Sequence, residues 1–102
     1  MGRVKVVLLY VDGCPNWSTA KDRLTEAVRL AGRTDTEIEY RRIETSEEAA
    51  ACGFIGSPTI LIDGRDPFAE PGAQASVSCR IYRTPEGLSG APTVAQLREA
   101  FD

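Results

Sequence analysis

Residues 3–11, RVKVVLLYV, are mostly β-branched or apolar and show no helical period. A run of this kind is typical of a strand that is buried on both faces of a sheet. The stretch DGCPNW follows at once, and in it a turn-forming Asp-Gly pair precedes Cys14 and Pro15. The sequence therefore predicts a central strand, a tight turn and a helix, with Cys14 where the helix begins.

The helix after Pro15 is amphipathic. Charged side chains occupy one face, and apolar residues recur at spacings of three and four on the other. The apolar positions are Trp17, Ala20, Leu24, Ala27, Val28 and Ala31. We expect Cys14 at N-cap, Pro15 at N1 and Gly32 just past the end, because this is the usual punctuation of a helix.

Two more strands and a short helix are predicted in the middle of the chain. Residues 36–43, TEIEYRRI, alternate in the manner of a half-exposed strand, and a strand-helix-strand unit of this length implies a parallel pair. Thr45 and Glu48 form a capping-box pattern before a short helix that ends near Gly53. The β-branched stretch SPTILIDG then indicates a strand that starts at Ser57 and Pro58.

The last third of the chain contains a long loop, a strand and a helix. Residues 63–76 are rich in proline, glycine and small side chains, and loops longer than about 12 residues are often functional, so we expect a lid or a partner surface there. Residues 77–83, VSCRIYR, predict a fourth strand that buries Val77, Cys79 and Ile81. A turn-rich connection, TPEGLSGAP, leads to a helix capped by Thr93 and Gln96.

The predicted fold is one α/β domain over residues 1–102. The element order is βαβαββα, and a four-stranded mixed sheet with three helices on its two faces accounts for it. The composition of 42% hydrophobic and 26% charged residues is ordinary for a globular domain.

Charge and hydropathy narrow the classes of partner. A net charge of -3 with scattered basic residues argues against nucleic acid. No segment approaches the roughly 18 apolar residues of a membrane helix, and the first apolar run is too short for a signal-peptide core. We expect a cytoplasmic protein with no membrane partner.

The chain has three cysteines and no histidine. Three widely spaced cysteines do not suit a secreted disulfide framework, and the absence of histidine excludes His-assisted nucleophiles and imidazole zinc sites. A soft-metal site made of cysteines stays open, although the short Cys-x-x-Cys spacing is missing.

The element order, the cysteine after the first strand and the stretch GFIGSPTILID together resemble the thioredoxin and glutaredoxin superfamily. The likeness covers the whole chain apart from the loop at 63–76, and it implies a thioredoxin-like fold in which Pro58 is cis. It also implies that the backbone at Ser57 pairs with a bound peptide or glutathione as an added strand. Pro15 is the usual companion of a reactive cysteine in this fold, so the resemblance also makes it a candidate substrate-binding residue.

DGCPNW, GRDPFA and SCRIYRTPEGLSGAPT also resemble a group of small bacterial thioredoxin-fold proteins, some loosely labelled alkylmercury lyase. We take that label as pointing to soft-metal chemistry, not to cleavage of carbon-mercury bonds. Two positions depart from the thioredoxin pattern. Trp17 stands where thioredoxins have the second cysteine, and Leu8 stands where they have a buried acid. The resemblance therefore does not imply dithiol chemistry by the usual route.

Cys14 is the candidate catalytic nucleophile. A cysteine at a helix N-terminus faces unpaired N–H groups and the positive end of the helix dipole, and both favour the thiolate. Asp12 would oppose a second negative charge if it lay close. We expect a moderately activated thiol.

The other candidate site residues have two interpretations each. Trp17, one turn after Cys14, either forms an apolar platform for substrate or packs in the core. Ser57 and Pro58 are expected at the substrate-binding edge, with Ser57 facing Cys14. Cys79 is either a core residue or a distant partner of Cys14, through a disulfide or a shared soft metal, and Cys52 is expected to fill a small apolar space.

Three functions follow from these residues. The first is a monothiol redox protein in which Cys14 exchanges with a protein cysteine or with a low-molecular-weight thiol, such as glutathione or mycothiol, as co-substrate and without a resident cofactor. The second is a redox-inactive binding module. The third is soft-metal capture by Cys14 and Cys79.

Overall fold

A computed structural model of the chain describes residues 4–33, 35–69 and 79–101. It is a small α/β domain with three helices, a mixed sheet of three strands and a separate sheet of two strands. The strands are β1 (Lys5–Tyr10), β2 (Glu37–Arg42), β3 (Thr59–Ile62), β4 (Tyr82–Thr84) and β5 (Gly87–Ser89), and the helices are α1 (Asn16–Leu30), α2 (Ser46–Cys52) and α3 (Val94–Ala100). Within the described ranges, no helix has both the length and the apolar character needed to cross a bilayer.

The three-stranded sheet has the order β2-β1-β3, so β1 is the central strand as predicted. β1 and β2 are parallel, with Leu8 opposite Tyr40, and α1 is the crossover between them. β3 runs antiparallel to β1 and places Ile60 opposite Leu8. β1 is therefore hydrogen-bonded to a neighbouring strand along each of its two edges.

Each face of the sheet carries its own apolar cluster. Val6 and Leu8 point to the face covered by α1 and α3, where they pack with Leu24 and Leu97. Leu9 points to the opposite face, and its cluster there includes Ile43, Ala49 and Phe54 around α2. Successive side chains of a strand alternate between faces, so one apolar strand can serve both clusters. Helices on both faces were predicted, and the structure confirms them.

The predicted helix ends are close to those observed. α1 starts one residue later than expected, with Pro15 and not Cys14 at N-cap. The Thr45 side chain accepts a hydrogen bond from the Glu48 N–H, and α2 ends at Gly53, which is left-handed at φ 72°. Thr93 and Gln96 form the complete capping box at the start of α3.

The fourth strand is the part of the fold in which the described residues differ from the prediction. β4 pairs with β5, not with the three-stranded sheet, and β5 lies in the stretch expected to be a turn-rich connection. The four-stranded sheet is therefore not confirmed.

The two faces of residues 79–82 are also reversed from the prediction. Arg80 and Tyr82 are buried, whereas Cys79 is exposed and Ile81 is 62% exposed. The reason is that contacts from loop residues draw the Arg80 side chain inward, and alternation then turns its neighbours outward. Val77 lies outside the described residues.

The loop expected at 63–76 is described only as far as residue 69, and its remainder lies outside the described residues. In the described part, the Ile62 N–H donates to the Arg65 carbonyl in a short antiparallel bridge. Asp66 accepts a hydrogen bond from the Phe68 N–H at 2.9 Å and thereby forms a compact turn. Asp66 and Phe68 lie against the segment that carries Cys79, as described below.

Candidate functional site

The turn between β1 and α1 determines the position of Cys14. Gly13 is left-handed at φ 84°, and the Cys14 N–H donates to the Val11 carbonyl at 3.4 Å. The turn directs the Cys14 side chain into the protein, where the residue is only 3% exposed. The thiol therefore lies at the start of α1, as predicted, but beneath the surface.

The Ser57–Pro58 peptide bond is cis, as the resemblance implies. The Ser57 hydroxyl oxygen accepts a hydrogen bond from the Val11 N–H at 3.1 Å, which ties this loop to the end of β1. In its thiol form Cys14 donates through Sγ to the Ser57 carbonyl at 3.6 Å. The prediction that Ser57 faces Cys14 is confirmed.

Cys79 lies directly on Cys14. Its thiol donates a hydrogen bond to the Cys14 sulfur, and the two Sγ atoms are 2.9 Å apart. Both cysteines are free, and Cys79 is exposed while Cys14 is buried. Of the two interpretations of Cys79, the structure favours the partner of Cys14 over the core residue.

Backbone pairing holds Cys79 in this place. Ser57 and Cys79 form an isolated parallel bridge, and the Arg80 N–H donates to the Ser57 carbonyl at 2.9 Å. The backbone edge expected to receive a substrate is thus occupied by the chain's own residues. The substrate-binding role of Ser57 and Pro58 stays a prediction, and both residues are fully buried.

The Arg80 side chain anchors the same segment. Its guanidinium pairs with the Asp66 carboxylate at 2.8 Å and donates to the Phe68 carbonyl at 2.9 Å. Gly56 permits this close approach, because a Cβ there would lie 2.7 Å from the Arg80 Cβ and because its φ is 136°. The position of Cys79 therefore depends on the 63–69 loop as well as on the cis-proline loop.

Tyr82 adds a third contact. Its hydroxyl donates to the Pro58 carbonyl, and its ring lies 4.3 Å from the Arg80 guanidinium carbon. Burial raises the pKa of the Tyr82 phenol well above its ordinary value, so the group stays a neutral donor. Arg80, Asp66, Tyr82 and Gly56 were not recognised from the sequence as site residues.

The environment shifts the pKa values of the two thiols in opposite directions. Burial by itself raises the pKa of Cys14, but hydrogen bonds to its thiolate outweigh it, and the net pKa is lowered. The donors are Cys79, Ser57 and the N–H groups of Asn16 and Trp17. The pKa of Cys79 is raised, first because its thiol hydrogen-bonds to Cys14, and then by burial and by the Cys14 charge. When one of the two thiols has lost its proton, the thiolate is therefore Cys14, and it accepts a hydrogen bond from the Cys79 thiol.

Asp12 was expected to oppose the Cys14 thiolate if it lay close. Its carboxylate instead pairs with Arg42 of β2 at 3.2 Å and is 80% exposed. Arg42 reaches Asp12 because β1 and β2 are parallel and their carboxyl ends meet at one edge. The Asp12 charge is therefore paired with Arg42, and Asp12 is not among the groups that shift the Cys14 pKa.

Trp17 and Cys52 contact residues elsewhere in the fold. The Trp17 indole stacks on Tyr10 of β1, with ring centroids 4.2 Å apart, and tilts against Tyr40 of β2. The packing interpretation therefore accounts for Trp17, and its backbone N–H, not its ring, is the group tied to Cys14. Cys52 is half-buried against the cluster of Leu9 and Phe54, as expected for a small space filler. Pro15 is exposed at the start of α1.

An open groove of about 520 Å³ lies beside residues 80–83, which follow Cys79 in the chain. It is lined by Ile55, Phe68, Arg80, Ile81, Tyr82, Arg83 and Leu88. Ile81 and Leu88 are the most exposed large apolar side chains among the described residues. An apolar surface therefore adjoins the exposed thiol.

Metal ligands are sparse near these thiols. Among residues 4–33, 35–69 and 79–101, no group of three or more cysteine, aspartate or glutamate side chains converges as a metal site would require. The sequence itself matches no protein-family model and no curated protein. What this chain does must therefore be inferred from its own residues.

Proposed function

We propose that this protein is a thiol-disulfide redox protein whose working group is the Cys14–Cys79 pair. The observation that carries the proposal is the 2.9 Å separation of the two Sγ atoms. A disulfide requires about 2.05 Å, so the two sulfurs need to approach by only about 0.9 Å for the bond to form. The sequence favours a single working thiol, and the proximity of Cys79 favours two.

The protonation states support the same chemistry. Thiol-disulfide exchange requires a thiolate, and the lowered pKa of Cys14 supplies one. The raised pKa of Cys79 keeps the second sulfur protonated until exchange begins. Oxidation of a pair made of a Cys14 thiolate and a Cys79 thiol removes two electrons and one proton. The oxidant is an external disulfide, which takes the two electrons and is released as one thiol and one thiolate.

We infer further that the fold is thioredoxin-like. A parallel strand-helix-strand unit, a cysteine at the start of α1 and a cis-proline loop beside it support this. The Ser57–Cys79 bridge would then be the short remnant of the fourth strand. The external partners are a protein cysteine or a low-molecular-weight thiol, such as glutathione or mycothiol, which a cytoplasmic setting would supply.

Equilibration with glutathione buffers of increasing oxidation tests the proposal. Mass spectrometry with peptide mapping is expected to find a disulfide between Cys14 and Cys79 while Cys52 stays free. The Cys52→Ser variant is the matched control, and it is expected to oxidise at the same buffer ratio. A persistent glutathione adduct on Cys14 with Cys79 free would instead support the monothiol protein. Absence of both products would leave a redox-inactive binding module.

Soft-metal capture is the second candidate, because two thiols converge. A tetrahedral metal bound at about 2.3 Å to each sulfur would need the sulfurs about 3.8 Å apart, farther than they lie. Titration with mercuric ion separates this candidate from the first. Binding of one ion per chain, lost in both Cys14→Ser and Cys79→Ser, together with no Cys14–Cys79 disulfide in glutathione buffers, would favour metal capture.

A further inference from the structure

We propose that external thiols exchange at the sulfur of Cys79, not at that of Cys14. Cys14 bonds only to Cys79: its thiolate is released when the internal disulfide is reduced, and it attacks Cys79 when that disulfide forms again. This assignment rests on the proposed Cys14–Cys79 redox pair. The sequence predicts instead that Cys14, at the start of α1, forms the bond to the external thiol.

The exposure of the two cysteine residues is the first observation. Cys14 is 3% exposed, and Cys79 is exposed at the surface. A disulfide between them would leave this arrangement in place, since the sulfurs already lie 2.9 Å apart. An external thiolate that approaches from solvent therefore meets the Cys79 sulfur first. Exchange occurs at the sulfur that the nucleophile can reach.

The occupied backbone edge is the second observation. The Ser57 carbonyl already accepts the Arg80 N–H, so an incoming peptide cannot use it for strand pairing. Cys79, the residue before Arg80, is itself bridged to Ser57, and its Sγ lies 2.9 Å from the Cys14 Sγ. The buried Asp66–Arg80 ion pair and the Tyr82 hydroxyl hold this segment on the edge. The chain thus presents its own cysteine to Cys14 in the manner of a bound substrate.

The groups around Cys14 suit it to be the leaving sulfur. As the external thiolate attacks Cys79 Sγ, a bond forms between those two sulfurs, and the Cys14–Cys79 bond breaks with its electron pair on Cys14. The Asn16 and Trp17 N–H groups and the Ser57 hydroxyl stabilise that charge. A second external thiolate then attacks the external sulfur of the mixed disulfide. Cys79 is released as a thiolate and takes a proton from solvent. Two external thiols have become one disulfide, and the protein pair has gained two electrons.

The reverse direction uses the same intermediate. Cys79 first gives its proton to solvent, and its thiolate then attacks one sulfur of an external disulfide. The bond from Cys79 to that sulfur forms, the external S–S bond breaks, and the other external sulfur leaves as a thiolate that takes a proton from solvent. The Cys14 thiolate, 2.9 Å away, then attacks Cys79 Sγ and releases the second thiol. In both directions the external group is bonded to Cys79 and never to Cys14.

An acid quench of the reacting protein tests the assignment without any substitution. The oxidised chain is mixed with reduced glutathione, acidified at short times, and mapped by mass spectrometry. Glutathione is expected on Cys79 with Cys14 as free thiol. Glutathione on Cys14 with Cys79 free would overturn the assignment while leaving the redox pair intact. If the oxidised chain contains no Cys14–Cys79 disulfide, the proposed function itself fails.

Two single variants in a Cys52→Ser background give a second readout. With oxidised glutathione, Cys14→Ser is expected to gain a stable adduct on Cys79. Cys79→Ser is expected to react at Cys14 at least about tenfold more slowly, because the thiol stays covered. In denaturant the two rates should become similar, which shows that the folded structure and not the local sequence sets the difference. A faster reaction of Cys14 in the folded variants contradicts the assignment.

Discussion

The Arg80 guanidinium and the Asp66 carboxylate form an ion pair of 2.8 Å, and the two side chains are only 8% and 9% exposed. The Arg80 main-chain N–H also donates a hydrogen bond to the Ser57 carbonyl. One residue therefore connects the 63–69 loop, the cis-proline loop and the neighbouring Cys79. The contact that holds the two thiols together is thus remote in sequence from Cys14.

Replacement of Arg80 by methionine is expected to destabilise the fold by about 3–5 kcal/mol, because it leaves the Asp66 charge buried and unpaired. The double variant Asp66→Leu with Arg80→Met is expected to recover part of this loss, because no charge is then buried. Urea unfolding measures both. Lys5→Met, which removes an exposed ion pair with Glu39, is the control and should change little. Equal stability of Arg80→Met and the control would show that the buried pair does not anchor the segment.

Gly56→Ala is expected to displace Arg80 and with it Cys79. The added Cβ would lie 2.7 Å from the Arg80 Cβ, and the φ of 136° is unfavourable for alanine. Gly64→Ala is the matched control, since φ is 82° and no atom lies within 4 Å of the added Cβ. We expect Gly64→Ala to cost about 1 kcal/mol and Gly56→Ala clearly more. Formation of the Cys14–Cys79 disulfide should become less favourable only in Gly56→Ala.

The two thiols are expected to titrate on opposite sides of the ordinary thiol pKa of about 8.5. The first proton leaves below this value, because the Cys14 pKa is lowered, and the second leaves above it, because the Cys79 pKa is raised. Thiolate ultraviolet absorbance of the Cys52→Ser variant measures both steps. Two thiols that titrate together near the ordinary value would contradict the hydrogen-bonded pair.

The same shifts predict a maximum in stability with pH. A lowered Cys14 pKa stabilises the fold above the unfolded pKa, and this contribution is lost as pH falls through the folded value. A raised Cys79 pKa stabilises the fold below the unfolded pKa, and this contribution is lost as pH rises through the folded value. The contribution of the pair is therefore largest near the ordinary thiol pKa. Urea unfolding of the reduced Cys52→Ser protein and of the same variant carrying Cys14→Ser and Cys79→Ser measures it as their difference.

Trp17→Ala is expected to lower stability by about 2 kcal/mol without changing the rate of disulfide exchange. The half-buried indole loses its stacking on Tyr10, a smaller loss than the roughly 3–5 kcal/mol of a fully buried aromatic. Trp17→Phe keeps most of the stacking and is the control. Circular dichroism follows unfolding, because Trp17 is the only tryptophan. A slower exchange in a variant of unchanged stability would instead support a substrate platform.

Local patterns in the sequence were sufficient for most of the fold. The apolar run of β1, the helical period of α1 and the caps at Thr45 and Thr93 each depend on neighbours within about four residues. The position of Cys14 follows from the same patterns. The cis bond at Pro58 was expected from the resemblance, since a proline after Ser57 carries no such information by itself.

Residues 79–89 could not be predicted in the same way. Alternation in VSCRIYR is equally consistent with either face being buried, because a strand has two faces and only a partner distinguishes them. The partner of Arg80 is Asp66, fourteen residues earlier, and the partner of its main chain is Ser57. Neither contact leaves a periodic signal in the sequence. For that reason Ile81 was placed inside and Arg80 outside, which is the reverse of the structure.

Strand, turn and helix signals are short-range, and they were enough to predict a cysteine at the start of a helix after a buried central strand. Long-range contacts were needed to cover this thiol and to bring a second thiol, sixty-five residues later, to 2.9 Å from it. That proximity is set by a parallel backbone bridge at Ser57 and by a buried ion pair at Arg80. Both are contacts between distant parts of the chain, and their energies depend on burial that exists only once the domain has folded.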